Sequence, residues 1–289
     1  IFSGDIFAEQ YVISSSVTEI TIGSVSGSTA FGDSNDDTHR FTGSLDISGS
    51  LGINSDGRNN LFIGQNAGTG SGIGQSNTAI GINALTSPRG AESIVAIGRN
   101  AGKNITKSSQ LGVYSVLIGN NANQHNAAGS QNIAIGWNAG GAAGTYQTNA
   151  VMIGFRAAEG GSGPTNSTVI GTSVFGGVSS AHPQYVTAVG QQALYGSAST
   201  TTGINGSVAI GHQSLYSITT GTNVAMGYQS GYSINSGTQN TLIGYQSGYN
   251  VTTGTNNTIL GHSAAFQMTT PSDMTVIGTS ALAGQQGGA

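Results

Sequence analysis

Apolar residues in this chain come in short bursts, each closed by a glycine and followed three positions later by a small residue. The closing glycines are Gly64, Gly81, Gly98, Gly119, Gly136, Gly154, Gly171, Gly190, Gly211, Gly227, Gly244, Gly261 and Gly278. Successive spacings are 17, 17, 21, 17, 18, 17, 19, 21, 16, 17, 17 and 17 residues. A fixed short period of this kind marks a solenoid or an array, in which each copy is one structural unit.

Each repeat position has its own physical reading. The residue before the glycine is always large and aliphatic, as in Ile63, Ile118, Ile135, Ile243 and Leu260. Two and three positions before it the residues are again apolar or Thr, as in Ala96, Leu117, Val95 and Thr241. Alternate side chains of a strand point to opposite faces, so apolar residues at both parities predict a strand covered on both sides. One face packs into the coil's own core, where Ile135 and Ile243 are expected. The other needs a neighbour, and a partner subunit is the simplest cover.

The small residue three after the glycine, such as Ala84, Ala101, Ser230 or Ser247, predicts a narrow interior. Between them lies an amide in most copies, including Asn66, Asn83, Asn100, Gln213, Gln229 and Gln246. Its persistent polarity predicts either a solvent-facing position or a ladder of stacked amides. The glycine is expected to supply a positive φ at a corner. Asn60, Asn77, Asn132, Asn223, Asn240 and Asn257, four before the glycine, are expected at the turn entering the coil, since Asn tolerates left-handed backbone. Segments such as 103–114 and 196–206 absorb the differences in length.

The predicted fold is therefore all-β, a parallel β-solenoid (β-roll) of about thirteen 17-residue coils, trimeric so that the second apolar face is covered. It spans residues 59–289. Residues 1–58 lack the repeat. There Phe41, Leu45, Ile47, Leu51 and Ile53 share one parity and Thr42, Ser44, Asp46, Ser48 and Ser50 the other, the pattern of a half-buried strand. Solenoids need atypical ends, so this segment is read as a cap or as the attachment point for other proteins of the same assembly.

Composition narrows the function. Residues 1–59 carry eight acids and two bases, net −6; residues 60–289 carry three acids and five bases, net +2. From Gly160 onward Asp273 is the only charged side chain. Duplex nucleic acid is bound through Lys and Arg neutralising phosphates, so it is not an expected partner. No run approaches the roughly 18 apolar residues of a membrane span. Cysteine is absent, which leaves stability to hydrogen-bond ladders and assembly.

The units Asn240-Thr-Leu-Ile-Gly-Tyr-Gln-Ser-Gly-Tyr249 and Ser207-Val-Ala-Ile-Gly-His-Gln-Ser214 resemble the head repeats of trimeric autotransporter adhesins and repeats of bacteriophage tail fibres. The stretch Phe31 to Leu51 is similar to segments of phage structural proteins. The resemblance implies a trimeric β-roll in an extracellular fibre, a phage tail fibre or other virion appendage involved in host attachment. A bacterial surface adhesin head is the alternative, and a stand-alone ice- or polysaccharide-binding solenoid is a third class, though no regular Thr-x-Thr array is present.

Catalysis is not expected. Glycoside hydrolysis needs two carboxylates a few ångströms apart, and the repeats offer only Glu92, Glu159 and Asp273. Neither a nucleophile elbow nor a phosphate-binding loop occurs, and no cofactor is implied. His212 and His262 share a repeat position but lie three coils apart with Tyr228 and Tyr245 between them, so ordinary repeat variation outweighs a metal site. Asp33, Asp36 and Asp37 lack the full ligand spacing of a Ca²⁺ loop. The candidate site is a column five residues after the glycine, where consecutive copies place Tyr195, Tyr216, Tyr232, Tyr249 and Phe266. It serves either packing, because stacked aromatics add stability, or recognition of a host glycan or other receptor.

Overall fold

The computed structural model describes residues 58–285, apart from 71–73, 87–89, 106–113, 126–128, 142–146, 161–162, 178–182 and 197–202. The chain divides into two units, Ile1–Leu51 and Gly52–Ala289, and the described residues all belong to the second. The expected N-terminal cap and Asp33, Asp36 and Asp37 lie outside the described residues.

Among the described residues, thirteen strands of three residues each, from Leu61–Ile63 to Thr275–Ile277, form one parallel sheet whose strand order follows chain order. The fold is thus a β-solenoid. Each strand occupies the three positions before an anchor glycine and pairs with its own copy in the next coil, as Thr241, Leu242 and Ile243 do with Thr258, Ile259 and Leu260. Register survives the longest steps: Val95 stands opposite Val116, and Thr187 opposite Val208. The extra residues of those coils leave the ladder unchanged.

Two constraints meet at the anchor glycine. Gly244 has φ 134°, a conformation that L side chains rarely adopt, and a Cβ built on it would stand 2.4 Å from the carbonyl oxygen of Gly261 in the next coil. Neither constraint alone would demand Gly in every copy; a stack of such corners does. The chain then turns sharply, the Ser247 N–H donating to the Gly244 carbonyl at 3.3 Å. The amide-bearing residue inside that turn is left-handed, with φ 51° at Gln229 and 50° at Gln246. Two positions further on the backbone is left-handed again, at Leu215 (φ 50°), Gly231 (φ 61°) and Gly248 (φ 60°). These repeated left-handed residues curl each coil back onto the sheet.

The core is a column of middle strand residues and their opposite numbers. Ala225, Leu242 and Ile259 are fully buried, and Ile218, Ile234 and Val251 close over them from the far wall. Ser214, Ser230 and Ser247 are also buried, with each hydroxyl donating to a strand carbonyl of the next coil: Ala225, Leu242 and Ile259 respectively, at 2.8–3.0 Å. A small hydroxyl therefore fills the narrow interior without an unpaired polar atom.

Two expectations are corrected here. Ile135 and Ile243 lie on the outer face of the sheet, only partly buried, and not in the core. A three-residue strand turns only its middle side chain inward, so the residues before and after it both face out. Ile63 at 49% exposure and Ile277 at 64% mark the same outer column at the two ends of the sheet. The Asn four before the glycine is likewise not the left-handed residue; the residue preceding it is, as at Gln239 (φ 59°) and Asn256 (φ 56°). The Asn itself is buried and knits coils together. The Asn240 N–H and Nδ2 both donate to Asn223 Oδ1, at 3.1 and 2.9 Å, and Asn240 Oδ1 accepts the same pair from Asn257 at 3.1 and 2.8 Å. Burial selects Asn because it offers a donor and an acceptor to identical neighbours above and below.

Candidate functional site

A solenoid in constant register stacks equivalent side chains one coil apart, near the inter-strand distance of about 4.8 Å. An aromatic residue recurring in consecutive copies must then meet itself. Tyr195, Tyr216, Tyr232, Tyr249 and Phe266 form one such column, with centroids 5.0–5.1 Å apart and planes within 13° of parallel. All five rings are partly buried. Gly176 and Gly177 close one end of it. A Cβ on Gly176 would stand 2.7 Å from Tyr195 Cε2, and the Gly177 N–H donates to the Tyr195 carbonyl at 2.8 Å.

Stacking decides which part of each ring remains available. Nearly parallel rings at this distance use their faces on one another, so no planar or sugar ring can enter between them. What the inner rungs present outward is their edges and, for the tyrosines, their hydroxyls. Burial pushes the Tyr216 phenol above its ordinary pKa, and the neighbouring phenols of Tyr232 and Tyr195 add to the shift.

A second aromatic column, not singled out as a unit in the sequence, runs one residue after the glycine. His212, Tyr228, Tyr245 and His262 stack at 4.9–5.1 Å, and Trp137 stacks on Phe155 at 5.0 Å in earlier coils. The two histidines are thus the ends of a ring stack, separated by two tyrosines. The shared repeat position was the signal in the sequence; a search for converging metal ligands looks past it. Tyr228 and Tyr245 are 42% and 44% exposed and widen the outer apolar face formed by the strand residues.

The amides two after the glycine hydrogen-bond to their copies. Asn66, Asn83, Asn100 and Asn121 form one ladder at 3.0–3.3 Å, and Gln192, Gln213, Gln229 and Gln246 another at 2.8–2.9 Å. Between the two ladders Arg156 occupies the position and pairs with Glu159, which also accepts from Asn138 at 2.9 Å. The carboxylate accordingly holds the guanidinium pKa above its usual value.

Beside the Tyr column, a shallow groove is lined by Ser233, Asn250, Thr252, Phe266, Gln267 and Thr269. These residues occupy the fifth, sixth and eighth positions after the glycine in three consecutive copies. The seventh position, Ile234, Val251 and Met268, points into the core, so the sixth and eighth face out. Polar residues recurring at those two positions were the sequence signal for the groove. Among the described residues, no group of three or more His, Cys, Asp or Glu side chains could hold a metal ion.

No protein-family model, curated protein or solved structure matches this chain. The functional reading therefore rests on the repeat and on its surfaces.

Proposed function

We propose that this chain is one subunit of a homotrimeric extracellular fibre, a phage tail fibre or other virion appendage that takes part in host attachment. It carries no catalytic role in this reading, and residues 1–58 join it to other proteins of the assembly. The supporting observation is the outer face of the sheet. Thirteen strands present aliphatic residues outward in unbroken register, from Ile63 to Ile277, with Tyr228 and Tyr245 alongside. Twelve inter-strand steps make a stripe roughly 60 Å long. Isolated surface apolar residues are ordinary, but a contiguous stripe of this length marks an interaction surface.

The spacing of the stripe selects its cover. A partner that meets every rung must itself repeat at the inter-strand distance along the whole length. A parallel copy of the same chain does so by construction, and closed symmetry around the fibre axis satisfies every copy equally. The near absence of charge along the second half of the chain removes the electrostatic penalty of bringing copies together.

Light scattering under native conditions is expected to give a trimer mass; a monomer would remove the assembly reading. Peptides of the chain should be recovered from purified virions, and antibodies to residues 58–285 should decorate fibres in electron micrographs. Recovery from the surface of uninfected bacteria would instead favour the adhesin head.

A further inference from the structure

The groove beside the Tyr column differs from the two amide ladders that run along the late coils. Amides two after the glycine are consumed by one another, and those four before it by neighbouring coils. Asn250 and Gln267, in contrast, make no side-chain hydrogen bond to any described residue; only their backbone N–H groups are engaged, with the carbonyls of Phe266 and Ala283. The Thr252 hydroxyl donates to the Thr269 carbonyl at 2.9 Å, which leaves its oxygen free to accept. Ser233 adds a hydroxyl from the preceding coil.

We propose that this groove is a binding site for an uncharged oligosaccharide lying along the fibre axis. The inference rests on the attachment reading above and names its ligand class. Three features carry it. The free groups are amides and hydroxyls, which match the mixed donors and acceptors of sugar hydroxyls. None of the lining residues is charged, so no ion pair favours a carboxylate, sulfate or phosphate over a neutral sugar. The Phe266 ring, last of its column, contributes apolar surface to the wall, which suits the C–H face of a pyranose as the inner rings, stacked on both faces, cannot. The lining residues span three coils, or two steps of about 4.8 Å, the reach of a short oligosaccharide. None of them belongs to the outer stripe, so assembly through the stripe leaves the groove open.

The test uses the purified full chain with maltohexaose, cellohexaose, mannohexaose and chitohexaose as neutral probes, and sialyllactose and a heparin hexasaccharide as charged ones. Calorimetric titration is expected to detect at least one neutral probe, with neither charged probe binding more tightly. The Asn250→Ala/Gln267→Ala double variant should weaken that binding at least tenfold with an unchanged melting temperature. Ser233→Arg, which fills the groove from its other end, should do the same. Thr279→Ala, on the outer face, should leave binding unaltered. Absence of binding to all four neutral probes, tighter binding of a charged one, or full binding by both groove variants would overturn the proposal. A trimeric virion protein with a silent groove rejects this inference alone, whereas a monomer with an active groove rejects only the assembly.

Discussion

The early and late coils of the solenoid share one backbone but differ in how their side chains meet. Between Leu61 and Ile153 the repeat is irregular. Four bases and one acid sit among its coils before Gly154, and the position of Asn60 and Asn77 is taken next by Ile94 and Ser115. The aromatic pair Trp137–Phe155 has no third member among the described residues. From Gly190 to Gly278 the late coils carry one charge, two ring columns of four and five members, a Gln ladder and a buried Asn ladder. A ladder needs the same residue in consecutive copies, because each side chain's partner is its own copy. Uniformity is therefore worth most where it is unbroken, and at the buried Asn position a substitution costs more in the late coils than in the early ones.

The strongest test of this architecture is a pair of neighbouring residues in one late strand. Leu242 is fully buried and Ile243 faces out. Leu242→Asp should abolish folding, since an unpaired carboxylate in the core costs several kcal/mol, visible as loss of the β-sheet circular dichroism signal. Ile243→Asp should fold and instead lose the proposed trimer in sedimentation. Equal damage from both would show the inward face to be assigned wrongly.

Next in size is the corner. Gly244→Ala places a methyl against the Gly261 carbonyl in a backbone region hostile to Cβ, and should cost on the order of 3 kcal/mol by thermal or denaturant unfolding. Gly278, whose added Cβ would meet nothing closer than 3.8 Å, should tolerate Ala better because only the backbone strain remains.

The buried Asn position separates early from late coils directly. Asn240→Ala removes acceptors from two groups of Asn257 and the donor to the Gly254 carbonyl, and should cost about 2–3 kcal/mol. Asn77→Ala, whose Oδ1 serves only the Ile94 N–H, should cost less. Similar melting temperatures for the two variants would deny the ladder any added value.

Much of this was legible in the sequence because the period writes itself onto the backbone. Anchor glycines, strand positions and the small interior residue follow from one alignment of the chain with itself. Which face of the strand points inward was not legible, since Ala, Leu and Ile alternate with Thr, Val and Ile and both parities are apolar. Only the corner geometry, in which the glycine ends the strand one residue after Ile243, assigns Leu242 to the core. The buried role of Asn240 was hidden for a related reason: Asn serves turns and ladders equally well, and its left-handed neighbour Gln239 is not a residue type that announces a turn. The groove was hidden because Asn250, Gln267 and Thr252 look like ordinary surface residues until three coils bring them together.

The smallest expected effect concerns the interior of the Tyr column. Tyr216 lies between Tyr195 and Tyr232, at 5.1 and 5.0 Å, and burial with these neighbours raises its phenol pKa above the ordinary value of 10.0. The folded state thus favours the neutral phenol more than the unfolded chain does. By linkage, the stabilising contribution is fully present below about pH 10 and is lost as pH rises through the folded-state pKa. Unfolding measured across that window should show a decline in melting temperature that Tyr216→Phe reduces, because phenylalanine keeps the stack and removes the titration. If Tyr216→Phe left the decline as it was, the column would be merely a row of surface rings, and its inner members would carry no more of the fold than a tyrosine standing alone.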